Sequence, residues 1–228
     1  MRPLFLIPAR GGSKGIPGKN IKLLNNKPLI NYSIEVAQSL TSNDHICIST
    51  DDANIIKVVA DAGLEVPFVR PEELASDTAG SREVCLHALD FYEKKGISYD
   101  VIVLLQPTSP LRSSQQVKEA LALYNDSLDM VVSVKETSSN PYYVLFEEDK
   151  EGFLQKSKTG NFTSRHDCPK VWEYNGAIYV ISAAALKSKP FHAFSRIRKY
   201  VMDDYSSVDI DNPLDWEWAE FLIKRKTN

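Results

Sequence analysis

Apolar positions along the chain fall into short runs separated by segments in which they recur every three to four residues, the rhythm of βαβ units around a mostly parallel sheet. "LFLIP" (4–8) predicts a first strand, and Pro28 opens a helix to about Leu40 with Leu29, Ile30, Ser33, Ile34 and Ala37 on one side. "HICIST" (45–50) reads as a strand and 52–62 as a helix stopped by Gly63. "VPFV" (66–69) reads as a short third strand, and 81–95 as a helix stopped by Gly96. "DVIVLLQ" (100–106) is the most continuously apolar run and therefore the expected central strand. A helix over 113–125 and a strand "DMVVSV" (129–134) follow.

The rhythm breaks from 136 to 172, a polar, aromatic and glycine-punctuated stretch with a hairpin expected in "YYVLFEEDKEGFLQK". Such an excursion predicts an arm that contacts a second subunit or covers a site. "GAIYVI" (176–181) resumes as a strand, and "YVMDDYSSVDID" leads to a last helix capped by Asn212, with Pro213 in its first turn and Asp215 favourable to its dipole. The pattern predicts one α/β domain over 1–228 with an inserted subdomain at 136–172.

Charge and cysteine content narrow the function. A net charge of −3 gives no overall attraction to nucleic acid or anionic membranes, so basic residues act locally. Cys47, Cys85 and Cys168 form no CxxC pair, the expectation for reduced thiols. The apolar run before Pro8 is shorter than a signal-peptide core, and no later run approaches the roughly 20 residues of a membrane helix. The expectation is a cytoplasmic protein.

The first strand runs into "ARGGSKGIPGKN", which carries four glycines and the cations Arg10, Lys14 and Lys19. A loop there sits at the carboxyl edge of a parallel sheet, where open α/β folds bind ligands, and glycines let backbone N–H groups turn toward phosphate. The spacing matches neither a Walker loop nor G-x-G-x-x-G. Three mobile cations suit a nucleoside triphosphate whose charge is redistributed as diphosphate leaves; a solvated surface loop is the plainer alternative. In "VDID", residues i and i+2 of an extended segment point the same way, so Asp209 and Asp211 project together, with Val208 and Ile210 opposite. Two such carboxylates repel unless a cation lies between them, and oxygen ligands suit Mg²⁺ or Mn²⁺. Arg70 follows an apolar run at the ligand edge. Arg165, in the arm, is a guanidinium suited to a carboxylate or is simply exposed, and Arg112 reads as a loop or helix-start charge.

"IPARGGSKGIPGKN", "STDD", "RPEELASDTAGS", "LLQPTSPLR", "NGAIY" and "DID" follow in an order and spacing that resemble the acylneuraminate cytidylyltransferases (CMP-sialic acid synthetases) over nearly the whole chain. The resemblance implies a Rossmann-like (GT-A-like) nucleotidyltransferase fold, mostly parallel and flanked by helices, with a protruding arm that makes a homodimer. It implies that Arg10, Lys14 and Lys19 bind triphosphate and that Asn20, Arg70, Ala79 and Ser81 line the cytidine pocket, although Ser81 equally suits a helix N-cap. It implies that Gln106, Arg165, Asn175 and Tyr179 meet the acceptor sugar. Gln106 also reads as a strand-end residue satisfying loop backbone, and Tyr179 as a sheet aromatic. Arg10, Lys19 and Asp211 would be catalytic, Asp209 and Asp211 would hold the metal, and CTP and a nonulosonic acid would be the substrates. The acceptor stays open among sialic, legionaminic and pseudaminic acids. A glycosyltransferase, another sugar nucleotidyltransferase and a non-catalytic nucleotide binder are the competing readings.

Overall fold

A computed structural model describes residues 1–76 and 79–227. Its sheet is built from β1 (Pro3–Pro8), β4 (Ile46–Ser49), β5 (Val101–Leu104), β6 (Met130–Glu136), β9 (Trp172–Ser182) and β10 (Ile197–Val201), in the order β10-β6-β9-β5-β1-β4. Only β9 runs antiparallel to its neighbours. β5 is interior, as its apolar run predicts. The chain leaves β1 for β4 on one side and returns to β5 on the other, so the crevice outside the carboxyl ends of β1 and β5 is the topological switch point.

Alternation within the strands makes two apolar layers. Phe5, Ile7, Val101 and Val103 face α1 (Leu29–Gln38), α2 (Ala53–Asp61) and α4 (Ser114–Ala122). Leu4, Leu6, Ile102 and Leu104 face α3 (Ser81–Lys94) and α5 (Ala183–Ser188). The buried residues of α1 are Leu29, Ile30, Ser33, Ile34 and Ala37, the face its period predicts. Ser113 and Gln116 form a capping box on α4.

The third strand expected at 66–69 does not form. Thr50 and Val69 share one isolated bridge, since Pro67 and Pro71 lack the N–H groups a ladder needs. Two elements escape the sequence pattern. β2 (Leu23–Leu24) and β3 (Lys27–Pro28) form a small hairpin whose turn residues Asn25 and Asn26 have φ of 48° and 65°, a left-handed pair that asparagine tolerates. β10 is an edge strand, exposed at all its residues but Tyr200, and its basic residues carry no hydrophobic signal. In the 136–172 excursion, β7 (Phe146–Glu148) and β8 (Leu154–Lys156) pair with each other and with no strand of the main sheet.

Asp129 anchors β10. Its Oδ2 accepts from Ser195 N and Arg196 N at 2.9 and 3.0 Å and from Lys189 Nζ at 2.9 Å. The Arg196 amide, then Lys189, pulls its carboxyl down to about 2. A depressed folded-state value contributes stability that is present above the unfolded value of about 4 and is lost as pH falls through the folded one. The stability margin of wild type over Asp129→Asn is therefore expected to shrink as pH falls from about 4 toward 2, measured by urea unfolding across that range; a margin independent of pH would contradict it.

Candidate active site

An apolar residue set inside each polar motif brings the two motifs together. Ile16, in the glycine loop, and Ile210, between the two aspartates, are buried with Leu24, Leu29, Trp216 and Ala219 in a third apolar cluster against α6 (Pro213–Thr227). Ile210 N donates to Thr108 O at 2.9 Å. Asp215 Oδ2 accepts from Asp211 N and Asn212 N at 2.9 and 3.0 Å, and Asn212 Oδ1 accepts from Leu214 N and Asp215 N. Asp211 is thus held at the start of α6, capped as expected. Lys19 Nζ then donates to Ile210 O at 2.5 Å and lies 3.6 Å from Asp211 Oδ1. Gly15 passes so close that a β-carbon there would sit 2.1 Å from the Asp211 carbonyl oxygen.

The cations of the glycine loop and one acid of the second motif line one cavity of about 320 Å³ containing Arg10, Lys14, Lys19, Asn20, Gln106, Thr108 and Asp211. Asn20 is buried, and its Nδ2 donates to Arg10 O at 2.9 Å, fixing the loop from inside. Arg10 and Gln106 also line an adjoining cavity of about 350 Å³ with Arg70, Ala79 and Ser81. Arg70 is 5% exposed; its Nε donates to Ser49 Oγ at 2.9 Å and its Nη2 to Ser49 O. Burial lowers its pKa to about 10, which leaves it cationic at neutral pH. Ser81 is the first residue of α3, and Gly80 takes the cap position with no side-chain bond, so the N-cap reading of Ser81 gives way to an exposed side chain at the cavity wall.

Gln106 is positioned by a residue that sequence alone makes look incidental. Arg112 is 4% exposed, and its Nη1 donates to Gln106 O at 2.7 Å, Ser109 O at 2.9 Å and Ala177 O at 3.3 Å. Its Nη2 donates to Ser33 Oγ, and burial lowers its pKa to about 9. A loop charge would face water; this one ties the 106–109 loop to β9 and to Ser33 of α1 beneath the site. Its place between two prolines and a capped helix offered no signal of burial. Arg112→Met removes the donor those carbonyls share, leaving Gln106 O only the longer contacts from Ser33 Oγ and Ser109 N at 3.4 Å, and is expected to lose about 3–5 kcal/mol of stability, read from the denaturant midpoint. A loss below about 1 kcal/mol would assign the arginine to the surface after all.

On the far side of Gln106, β9 swells opposite β6. Asn175 is buried in the swelling: Ser133 Oγ donates to its Oδ1 at 2.5 Å, and its Nδ2 donates to Ser207 Oγ at 2.8 Å. Its amide is held by protein partners at the edge of the cavity it lines. Gly176 (φ +73°) can bring its backbone where it lies because it has no side chain; a β-carbon would meet Asp209 Oδ2 at 3.2 Å and Gln106 Oε1 at 3.4 Å. Asp209 lines a cavity of about 780 Å³ with Arg165, Asn175 and Trp218. Tyr179 lines an apolar one of about 250 Å³ with Ser81 and Gln106. Burial, followed by Asp209, raises the Tyr179 pKa to about 12, so it stays a neutral phenol. Gln106 therefore borders three of these four cavities.

The sequence model of the cytidylyltransferases matches residues 4–220. The chain belongs to the cytidylyltransferase family. It is 31% identical to a CMP-N,N'-diacetyllegionaminic acid synthase of Legionella pneumophila, over 98% of this chain and 97% of that one. It is 36% identical to an N-acylneuraminate cytidylyltransferase of Escherichia coli, covering 99% of this chain and 52% of that longer protein. A protein of Campylobacter coli named post-translational flagellin modification protein B is 35% identical over 98% of this chain and 95% of its own. Among solved structures, a CMP:2-keto-3-deoxy-manno-octonic acid synthetase complexed with CTP superposes with a TM-score of 0.72 at 17% identity, over 99% of this chain and all of that one; at that identity the likeness is one of fold.

Cytidylyltransferases imply a divalent cation, and the acidic pair fits one. Asp209 Oδ1 is buried with no hydrogen-bond partner among the described residues. Burial first, then Asp211, raises the Asp209 pKa, with Thr108 and Lys19 opposing. An oxygen left unsatisfied beside a second carboxylate is the donor set that a hard cation relieves. Among the described residues no three His, Cys, Asp or Glu side chains converge, so phosphate oxygens and water would complete the coordination. The two carboxylates do not share surroundings: Asp211 is 78% exposed and faces the cation-lined cavity, while Asp209 is pressed against Gly176. Among the described residues no helix is long and apolar enough to cross a membrane.

Proposed function

We propose that this cytidylyltransferase activates a nonulosonic, sialic-type sugar acid: the anomeric hydroxyl attacks the α-phosphorus of CTP, the bond to the β-phosphate oxygen breaks, and CMP-sugar and diphosphate leave. The observation that carries the reading is the 3.6 Å approach of Lys19 to Asp211 in a cavity that shares Gln106 with two neighbours. Arg10, Lys14 and Lys19 hold the triphosphate, with Arg10 and Lys19 offsetting charge as diphosphate departs. Arg70, Asn20, Ala79 and Ser81 frame the cytidine. Asp211 takes the proton of the attacking hydroxyl. Arg165, Gln106 and Tyr179 meet the acceptor, and Asn175 acts by holding the β9 swelling. A bound Mg²⁺ or Mn²⁺ on Asp209 and Asp211 would supply phosphate charge neutralisation and a lowered pKa for the attacking hydroxyl.

The relatives named for legionaminic and neuraminic acids support the nonulosonic class without choosing within it. A diphosphate-release panel crossing those acids and octulosonic acid with the four nucleoside triphosphates tests the reading. Turnover confined to CTP with a nine-carbon acid is expected. Release that needs no acid, or that prefers octulosonic acid or another nucleotide, overturns it.

The β7–β8 hairpin leaves Leu145, Phe146, Phe153 and Leu154 between 42% and 67% exposed. That much apolar surface on an arm supports a homodimer packed through it. Phe153→Asp with Leu154→Lys is expected to shift the sedimenting species from dimer to monomer; an unchanged mass for wild type and variant would place the contact elsewhere.

A further inference from the structure

The swelling in β9 has a second effect on the site. Val132 and Val134 of β6 are two residues apart and pack in the same apolar layer, yet their partners on β9 are Tyr179 and Tyr174, five residues apart. In a regular strand, residues an odd number apart face opposite ways. The extra residues cancel that inversion and put both tyrosines on one face. Their rings meet edge-to-face, with centroids 6.3 Å apart at 84°. Ser133 holds the swelling closed: its hydroxyl donates to Asn175 Oδ1 and accepts from Ile178 N at 2.7 Å.

Tyr174 is thereby delivered to a boundary. It stands 53% exposed and lines both the polar cavity containing Arg165 and Asp209 and the apolar cavity formed with Leu104, Met130, Phe191 and Ile197. A phenol ring is apolar on its faces and polar at its tip, so it suits a wall between a carboxylate-binding side and a methyl-binding side. We infer that Tyr174 is an acceptor-specificity residue, whose ring reads an apolar ring substituent, such as the methyl of an acylamino group, on a sugar acid whose carboxylate faces Arg165. The inference rests on the acceptor assignment of the proposed function.

The test compares kcat/KM for N-acetylneuraminic acid with that for the nine-carbon acid bearing hydroxyl in place of acetamido, in wild type, Tyr174→Phe and Tyr174→Ala. Tyr174→Ala is expected to reduce the preference for the acylated acid about 10-fold through KM for the acid, with KM for CTP and circular dichroism unchanged. Tyr174→Phe, which keeps the ring, is expected to retain the preference. Should Tyr174→Ala fold poorly, Tyr174→Leu takes its place in the same comparison. A preference unchanged in the ring-deleted variant overturns the inference while the proposed function stands, as does an equal loss for both acids. A wild-type enzyme whose diphosphate release depends on no sugar acid removes the proposed function and this inference with it.

Discussion

Lys19→Met is expected to lower CMP-sugar formation by about 10²–10³-fold in a protein that still folds, because under the proposed function the lost group is a fixed charge aimed at developing negative charge. Lys19 is 9% exposed, so its charge acts with little screening by solvent. Of its three N–H donors, one goes to Ile210 O and another faces Asp211, so that under the proposed function the third is left for a phosphate oxygen. Methionine fills a similar volume and keeps the stem packed, so the stability cost is that of the widowed Ile210 carbonyl, about 1–3 kcal/mol. Arginine is not expected to restore activity, since its planar fork does not fit a socket shaped for one ammonium. The measurement is diphosphate release at saturating CTP beside a thermal melt. Activity above about a tenth of wild type would show that Lys19 is structural and that the phosphates are stabilised by other groups.

What could be read from the sequence followed from how local the signal was. The buried face of α1, the cap by Asn212 and the interior place of β5 depend on periodicity and nearest neighbours, and they appear as expected. The meeting of Lys19 with Asp211 joins residues 192 positions apart, and no local pattern predicts it; it was legible because both motifs stood in the register of a known family, and its physical cause is the packing of Ile16 on Ile210. What the sequence hid depended on tertiary context. Arg112 looked like any loop charge until three carbonyls were placed around it. The bonds that hold the Asn175 amide, to Ser133 and Ser207, were equally hidden, as was the β9 swelling that leaves Tyr174 at the surface. An insertion in a strand cannot be counted from alternation alone, since alternation presumes that nothing was inserted.

Gly15→Ala is expected to cost as much activity as the loss of Lys19, by geometry and with no charge removed. The β-carbon would sit 2.1 Å from the Asp211 carbonyl oxygen, and under 3.0 Å one of the two backbones has to move. Neither can yield easily: Ile16 is buried against Ile210 one residue along the loop, and Asp211 N is tied to Asp215. A displacement on the order of 1 Å at the junction of the glycine loop with the acidic segment misaligns Lys19 and Asp211, and misplacements of that size cost ~10²-fold in rate. The stability penalty for the same clash is smaller, about 1–3 kcal/mol. Gly12→Ala supplies the control, because its β-carbon meets nothing within 4 Å, and it is expected to retain near wild-type turnover. Both variants add the same methyl to the same loop, so a generic loss of loop flexibility would impair them equally, whereas the contact with Asp211 impairs only Gly15→Ala. Equal activity in the two, at any level, would mean that the approach of the glycine loop to Asp211 does not govern catalysis.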